Sequence, residues 1–328
     1  MGSISKDELH TGSQQLINNV WGDMPEEQFY ASQGVINSKE FFSTANGRIF
    51  TQSFLPRSHE LKGIVCLNHG YSSHTGWLVQ FTAISFAQWG YAAFAADFLG
   101  HGRSDGLPCY IPNINKLAET SLSYFKSIRD SKEYKGKPAF LYGESMGGAV
   151  ALLMHLKDPE GWDGVILAAP MITVPETRNP SWLHFTACRM MLGLADTWPI
   201  PSRSSNSDLQ DYRDEERAKL RAMDTLRYIG QVRFGSYREL LWLMDHLQKN
   251  MDKITLPILT LHGTGDNVTD PGGSKMLVDK AKSKDKTAKF YEGSHHSLVQ
   301  GEPEETRKTI LADIKEWLDQ QVQKSSKL

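Results

Sequence analysis

The stretch PAFLYGESMGGAVALLMHLKD, Pro138–Asp158, runs from an apolar strand pattern through a glycine-rich turn into a helical pattern. Its centre, GESMG at residues 143–147, fits the pattern G-x-S-x-G. Between a strand and a helix, this pattern is typical of a nucleophile elbow, a sharp turn that holds the serine hydroxyl out at the carboxyl edge of a sheet. Glycines flank the serine because the turn leaves no room for side chains there. The alternative is that Ser145 only caps the helix.

Apolar runs of strand length lie on both sides of this stretch. They alternate with amphipathic helical patterns and occupy residues 63–70, 91–100, 164–170, 257–266 and 288–294. Most are apolar on both faces, as strands covered by helices on both sides must be. The alternation predicts an α/β fold with a mostly parallel, doubly wound sheet. Two earlier runs, 39–45 and 48–55, predict an antiparallel start.

The alternation stops between residues 171 and 251, where no strand pattern recurs. An insertion of this length is typical of a cap or lid. Its large apolar side chains are Trp182, Phe185, Met190, Met191, Leu192, Leu194 and Trp198. We therefore predict an N-terminal extension over 1–30, a core over 31–170 and 252–323, a helical cap over 171–251, and a C-terminal tail over 324–328.

Composition narrows the class of partner. The 328 residues are 40% hydrophobic, enough for a large core, and the formal net charge of −2 comes without long basic runs, which argues against nucleic acid. The three cysteines form no CxxC and favour a reducing compartment. The polar first twenty residues do not fit a signal peptide, and no run is long enough to span a membrane, which leaves only peripheral membrane contact open.

The chain ends in Ser326-Lys327-Leu328, which is typical of a peroxisomal address. This ending predicts a peroxisomal location and a peroxisomal import receptor as a partner. The alternative is a frayed polar tail after the last helix, with the protein in the cytoplasm.

Two segments predict backbone donors for an oxyanion. LNHGYSS, residues 67–73, follows a strand, and its His-Gly step can present the N–H of Tyr71. The N–H of Met146 lies at the predicted helix N-terminus behind Ser145, where it can face a developing negative charge. The alternative for the first segment is a turn that needs Gly70 only for its shape.

A serine nucleophile needs an acid and a base. In proteins with this elbow the order along the chain is serine, acid, histidine. Asp266 ends the strand pattern of LTLHGTGD and stands thirty residues before His296, which fits one helix and one strand. Asp270 is the second candidate, although a helix cap before Pro271 is the better interpretation. Asp97 could replace the acid in space but breaks the order.

The segment YEGSHHSLVQ, residues 291–300, contains the candidate bases His295 and His296. Adjacent residues of an extended loop point in different directions, so one of the two can reach Ser145. Spacing favours His296 without deciding the choice, and His295 then lies at the rim. Adjacent histidines are a poor metal site, and we expect neither a metal nor an organic cofactor. We interpret DFLGHGRSDG, residues 97–106, with His101 and Arg103, as a structural turn.

Together, GESMGG, NHGYSS, GHGRSDG, HGTGDNVTDP and YEGSHHSL resemble the monoacylglycerol lipase-like serine hydrolases of the α/β-hydrolase superfamily. MPEEQFYASQGVINSK, TQSFLP, GLADTW, SKDKT and QGEPEE extend the similarity over nearly the whole chain, toward the plant branch of caffeoylshikimate esterase and lysophospholipase-like enzymes. The resemblance implies an α/β-hydrolase fold with a helical cap over an acyl pocket. It also implies that His296 is the base, because the family motif reads Y-E-G-x-x-H, and that Tyr71 and Met146 form the oxyanion pair.

The sequence departs from this branch in one loop. Many plant relatives read HGYG with an aspartate two residues further on, an H-x4-D pattern linked to acyl transfer. Here Ser72 replaces the glycine, His74 replaces the aspartate, and no H-x4-D occurs in the chain. The departure argues against an acyltransferase.

We therefore predict a serine esterase that acts through an acyl-enzyme on a small-molecule ester, either a hydroxycinnamoyl ester or a monoacyl lipid such as a monoacylglycerol or a lysophospholipid. Ser145 attacks, His296 takes the proton, and Asp266 orients the imidazole. The alternative from another class is a ligand receptor on the same fold, since a fold does not fix function.

Overall fold

A computed structural model describes residues 20–57, 60–175, 195–200 and 211–325. Within these ranges, eight strands form one sheet. The strands are β1 (Val35–Thr44), β2 (Gly47–Pro56), β3 (Gly63–Asn68), β4 (Tyr91–Ala96), β5 (Ala139–Glu144), β6 (Gly164–Ala168), β7 (Ile258–Gly263) and β8 (Lys286–Tyr291).

The order of the strands across the sheet is β1-β2-β4-β3-β5-β6-β7-β8. The hairpin of β1 and β2 is antiparallel, with Phe41 opposite Phe50, and β2 pairs antiparallel with β4. Every pairing from β4 onward is parallel. The predicted α/β fold, a mostly parallel sheet with an antiparallel start, is confirmed.

Helices cover both faces of the sheet. They are α1 (Glu26–Ser32), α2 (Val79–Gln88), α3 (Ile114–Arg129), α4 (Met146–Lys157), α5 (Glu215–Ala222), α6 (Phe234–Lys249), α7 (Pro271–Lys280), α8 (Leu298–Gly301) and α9 (Glu304–Ser325). One apolar cluster joins the sheet to α3, α4 and α6, and the other joins it to α1, α2 and α9. Because helices pack on both faces, every residue of β3 and β4 is buried, which explains why the sequence of these strands does not alternate.

The turn between β5 and α4 is as tight as the glycine pattern predicts. Ser145 has φ 53° and ψ −120°, a backbone conformation that residues other than glycine rarely adopt. A Cβ on Gly143 would lie 2.3 Å from the carbonyl oxygen of Gly147, and a Cβ on Gly147 would lie 2.2 Å from the carbonyl oxygen of Asn68. Both positions therefore require glycine, and the serine points away from the packed turn.

The described part of the predicted cap holds α5, α6 and an isolated antiparallel bridge between Pro199 and Arg233. Six of the seven large apolar side chains expected there, those from Trp182 to Leu194, lie outside the described residues, and Trp198 is 61% exposed. Helix α6 buries Leu243 and Leu247 in the cluster that contains α4, so this part of the segment packs directly on the core.

The end of the predicted N-terminal extension also packs on the core. Helix α1 buries Phe29 and Tyr30, and the Tyr30 hydroxyl donates to Gln80 Oε1 at 2.7 Å. Within the described ranges, no helix is long and apolar enough to cross a membrane.

Candidate active site

The predicted site residues follow the carboxyl ends of four parallel strands. Tyr71 lies in the loop after β3, Ser145 directly after β5, Asp266 after β7 and His296 after β8. The carboxyl ends of parallel strands meet at one edge of a sheet, which is the usual place for a site in an open α/β fold. Residues separated by up to 225 positions in sequence, from Tyr71 to His296, are thus brought to one edge.

Asp266 and His296 are in direct contact. His296 Nδ1 lies 2.7 Å from Asp266 Oδ2, a short distance for a hydrogen bond to a carboxylate. The side chain of Asp266 is fully buried, whereas that of His296 is 13% exposed. Because Nδ1 is taken by the carboxylate, Nε2 is the ring nitrogen left for a reaction partner.

The Asp266 carboxylate accepts hydrogen bonds at both oxygens. Oδ1 accepts from the amides of Val268 and Thr269 at 2.7 and 3.0 Å. Oδ2 accepts from the Thr269 hydroxyl at 2.9 Å and lies 3.1 Å from His262 Nε2, in addition to its contact with His296. With this many donors the carboxylate has one fixed orientation, and its oxygen toward the imidazole cannot rotate away.

The electrostatics of the pair follow from these contacts. Burial alone would raise the pKa of Asp266, but the hydrogen bonds from His262 and His296 outweigh it and hold the pKa well below its usual range. Burial alone would lower the pKa of His296, but the hydrogen bond and charge of Asp266 outweigh it and raise the pKa above the ordinary value of 6.5. The carboxylate stays charged, and it favours the protonated form of the imidazole.

Ser145 and His296 line the same cavity, which has a volume of about 400 Å³. The loop before Tyr71 lies against the serine, since a Cβ built on Gly70 would be 3.5 Å from Ser145 Cβ. Met146 is the first residue of α4, so its amide lies at the helix N-terminus. Tyr71, Ser145 and His296 thus line one cavity, with Met146 next to Ser145 and Asp266 in contact with His296.

The cavity is lined by both apolar and polar side chains. The apolar lining includes residues of α6 and of the segment after β6, namely Met171, Val174, Tyr237, Leu240, Leu241 and Met244. The polar lining includes Ser72, Ser73, Asp211, Tyr212, Arg221, Ser297 and Gln300. A volume of this size, mostly apolar with a few convergent polar groups, fits a small organic ligand.

Glu144 is a further buried carboxyl group beside Ser145. Its Oε1 accepts from the Tyr142 hydroxyl at 2.5 Å and from Gln300 Nε2 at 2.6 Å, and burial raises its pKa above the ordinary value. Gln300 also donates to Thr82 Oγ1 at 3.3 Å. These bonds tie the elbow to the segment that follows His296.

The alternative site residues have other contacts. Asp270 caps α7, because its Oδ1 accepts from the amide of Gly272 at 2.8 Å. Asp97 accepts from the amides of Thr75 and Arg103, as expected for a structural carboxylate. The backbone amide of His295 donates to Glu302 Oε1 at 2.7 Å.

Sequence reasoning missed His262. This side chain is fully buried, and its Nδ1 lies 2.8 Å from Ser274 Oγ, which in turn lies 2.9 Å from Thr260 Oγ1. The chain of contacts from α7 thus ends on Asp266. The only signal in the sequence is that His262 precedes Asp266 by four residues at the end of β7, which does not show that the two side chains touch.

A mostly parallel sheet with an elbow serine, a histidine and a buried carboxylate at its carboxyl edge defines an α/β-hydrolase. A model of the Hydrolase_4 family, described as serine aminopeptidase, S33, matches residues 59–304, and the chain belongs to this family.

Known relatives refine this assignment. The chain is 50% identical to caffeoylshikimate esterase of Arabidopsis thaliana over 93% of its own length and 92% of the relative. It is 28% identical to monoglyceride lipase of Mus musculus over 85% and 89%. A soluble variant of monoglyceride lipase from Saccharomyces cerevisiae, solved with a substrate analog, superposes with a TM-score of 0.77 at 21% identity, over 87% of this chain and 96% of that one. The protein is an ester hydrolase of the serine hydrolase class.

Because Asp266 raises the pKa of His296, an NMR titration of the imidazole should give a midpoint above 6.5. In Asp266→Asn the charge is lost, and we expect the midpoint to fall by about one unit or more. Asp270→Asn is the control, since this residue caps α7 and should leave the midpoint unchanged. A midpoint that does not respond to Asp266→Asn would contradict the assigned contact.

Proposed function

We propose that the protein is a serine esterase in which Ser145 is the nucleophile, His296 the general base and Asp266 the group that orients the imidazole. The amides of Tyr71 and Met146 form the oxyanion hole. The observation that carries the proposal is the buried 2.7 Å contact between Asp266 and His296 beside a cavity that Ser145 also lines.

The chemistry proceeds in two halves. Ser145 Oγ bonds to the ester carbonyl carbon while its proton passes to His296 Nε2, and the carbonyl oxygen becomes an oxyanion facing the two amides. The tetrahedral intermediate collapses, and His296 gives the proton to the leaving alcohol. Water then loses a proton to His296 and attacks the acyl-enzyme, which releases the acid and returns the proton to Ser145. Throughout, the charged Asp266 stabilises the imidazolium that forms in each half.

The proposed substrate is a hydroxycinnamoyl ester. The 50% identity to a plant caffeoylshikimate esterase supports this class. The cavity lining also fits, since it offers apolar side chains to the acyl group and polar side chains to a hydroxyl-rich alcohol. Monoacyl lipids are the second candidate, supported by the similarity to monoglyceride lipases and by the apolar wall along α6.

Replacement of Ser145, Asp266 or His296 by Ala should lower kcat by about 10³-fold or more, because the three groups act as a unit. His295→Ala is the matched control and should stay within about threefold of the wild type, since the proposed base that contacts Asp266 is the neighbouring His296. The measurement is steady-state hydrolysis of an activated ester, with covalent labelling by a fluorophosphonate probe.

Two outcomes would contradict the assignment. An inactive His295→Ala with an active His296→Ala would reverse the choice of base. A folded wild type that forms no adduct on Ser145 would favour a ligand receptor on the same scaffold.

The substrate class is tested by comparing kcat/KM for a hydroxycinnamoyl shikimate, a monoacylglycerol and a lysophospholipid. We expect the hydroxycinnamoyl ester to lead by about tenfold, the discrimination that roughly 1.4 kcal/mol of differential transition-state binding gives. The reverse order would support the lipid hydrolase. Ser145→Ala controls for spontaneous hydrolysis of each ester.

We also propose that Ser326-Lys327-Leu328, which lies outside the described residues, acts as a peroxisomal address where it stands at a free carboxyl terminus. An N-terminal fluorescent fusion should then localise to peroxisomes and interact with the import receptor. Deletion of the three residues should leave the fusion in the cytoplasm. A cytoplasmic signal in both fusions would remove the proposal.

A further inference from the structure

The loop between β3 and α2, residues 69–78, carries the Tyr71 amide and has an unusual backbone. Ser72 has φ 60° and Trp77 has φ 50°, values that residues other than glycine rarely adopt. Such conformations persist only where the surrounding structure holds them. The contacts of this loop therefore show what fixes the position of the amide.

The core holds one side of the loop. Asp97 Oδ1 accepts from the amide and the hydroxyl of Thr75 at 2.6 and 2.7 Å, and Gln52 Nε2 donates to the same hydroxyl at 2.9 Å. The Tyr71 hydroxyl donates to the carbonyl of Cys109 at 2.8 Å. These contacts fix the loop at Tyr71 and Thr75.

The segment predicted as the cap contacts the other side of the loop. His74 Nε2 lies 3.0 Å from both carboxylate oxygens of Asp224, and the two side chains are 2% and 1% exposed. The amide of Gly76 donates to His74 Nδ1 at 3.1 Å, so a neutral ring carries its proton on Nε2 and donates it to the carboxylate. Asp224 follows the end of α5, 150 residues further along the chain.

One more contact joins α5 to the same loop, and another supports Asp224 from within the segment. Arg221 Nη1 lies 3.3 Å from Asp224 Oδ2, which compensates the buried carboxylate, and Trp77 Nε1 donates to the carbonyl of Leu220 at 2.6 Å. Burial alone would raise the pKa of Asp224, but the His74 and Arg221 contacts outweigh it and lower the pKa. Removing His74 from this buried carboxylate is costly, because the carboxylate would stay buried with fewer hydrogen-bond donors.

We propose that His74 and Asp224 are positioning residues for ester hydrolysis. Through their contact, the end of α5 holds the loop in the strained shape that aims the Tyr71 amide at the oxyanion. The inference rests on the proposed oxyanion role of Tyr71. It adds that the segment between β6 and β7 stabilises the transition state, in addition to lining the cavity.

The test is a double-mutant cycle with His74→Ala and Asp224→Ala. Each single variant should lower kcat by about tenfold to a hundredfold, somewhat less than the loss of one oxyanion donor, and should leave KM within about twofold. The double variant should be no slower than the slower single variant, because both changes remove one contact. Asp224→Asn keeps an acceptor for His74 Nε2–H and should recover most of kcat.

The matched control is Asp196→Ala. Asp196 accepts from Arg238 at 2.8 and 3.0 Å, a pair in the same segment, and the variant should keep the kcat of the wild type. Thermal unfolding is followed for every variant, and kcat is expressed per serine that reacts with a fluorophosphonate. If Asp224→Ala does not fold, Asp224→Leu, which also removes the acceptor, completes the cycle with His74→Ala.

The positioning role would be overturned if the losses in kcat of the two single variants multiply in the double variant. Single variants with the kcat of the wild type and a lower Tm would overturn it as well. Wild type that is labelled at Ser145 while Asp224→Ala turns over normally would contradict this inference alone. Wild type that is never labelled, or Ser145→Ala that stays active, would instead contradict the proposed function.

Discussion

The close approach of α4 to the sheet is the constraint on which the site depends. Residue 147 has no room for a side chain, because a Cβ there would lie 2.2 Å from a backbone oxygen of β3. The chain must therefore turn within one residue, and Ser145 takes a positive φ of 53°. This geometry places the serine at the carboxyl edge of the sheet with the first amides of α4 behind it. The helix N-terminus and Ser145, the proposed nucleophile, are thus positioned by the same packing.

Asp266 and His296, the proposed acid and base, are held in place by hydrogen bonds around a buried charge. Asp266 is fully buried, and an unpaired charge there would be strongly unfavourable. Two backbone amides, a hydroxyl and two imidazoles surround it instead, so the carboxylate remains charged and fixed in orientation. The donors that make burial tolerable also aim one oxygen at His296. The same hydrogen bonds therefore stabilise the buried charge of Asp266 and fix the orientation of its carboxylate.

The order of the motifs could be predicted because it is read directly from the sequence. The strand patterns predicted the parallel sheet. Because the carboxyl ends of parallel strands meet at one edge, they also predicted that Ser145, Asp266 and His296 lie on the same side of the sheet. Asp270 before Pro271 was recognisable as a helix cap from local sequence, and the structure confirms it. His262 was not recognisable, since its contact with Asp266 depends on how the loop after β7 closes. The same limit applies to His74, whose partner lies 150 residues away.

The sequence by itself determined which chemical groups are present, the order in which they occur and the sheet edge at which they meet, because these follow from local periodicity and from the direction of parallel strands. Only the tertiary structure decided which imidazoles contact Asp266, which donors keep that carboxylate charged and which contacts hold the loop of Tyr71 in place. These contacts join segments that are distant in sequence. Whether each contact forms depends on differences in distance of a few tenths of an ångström, which are set by packing in the folded protein. The spacing of residues along the chain does not determine them.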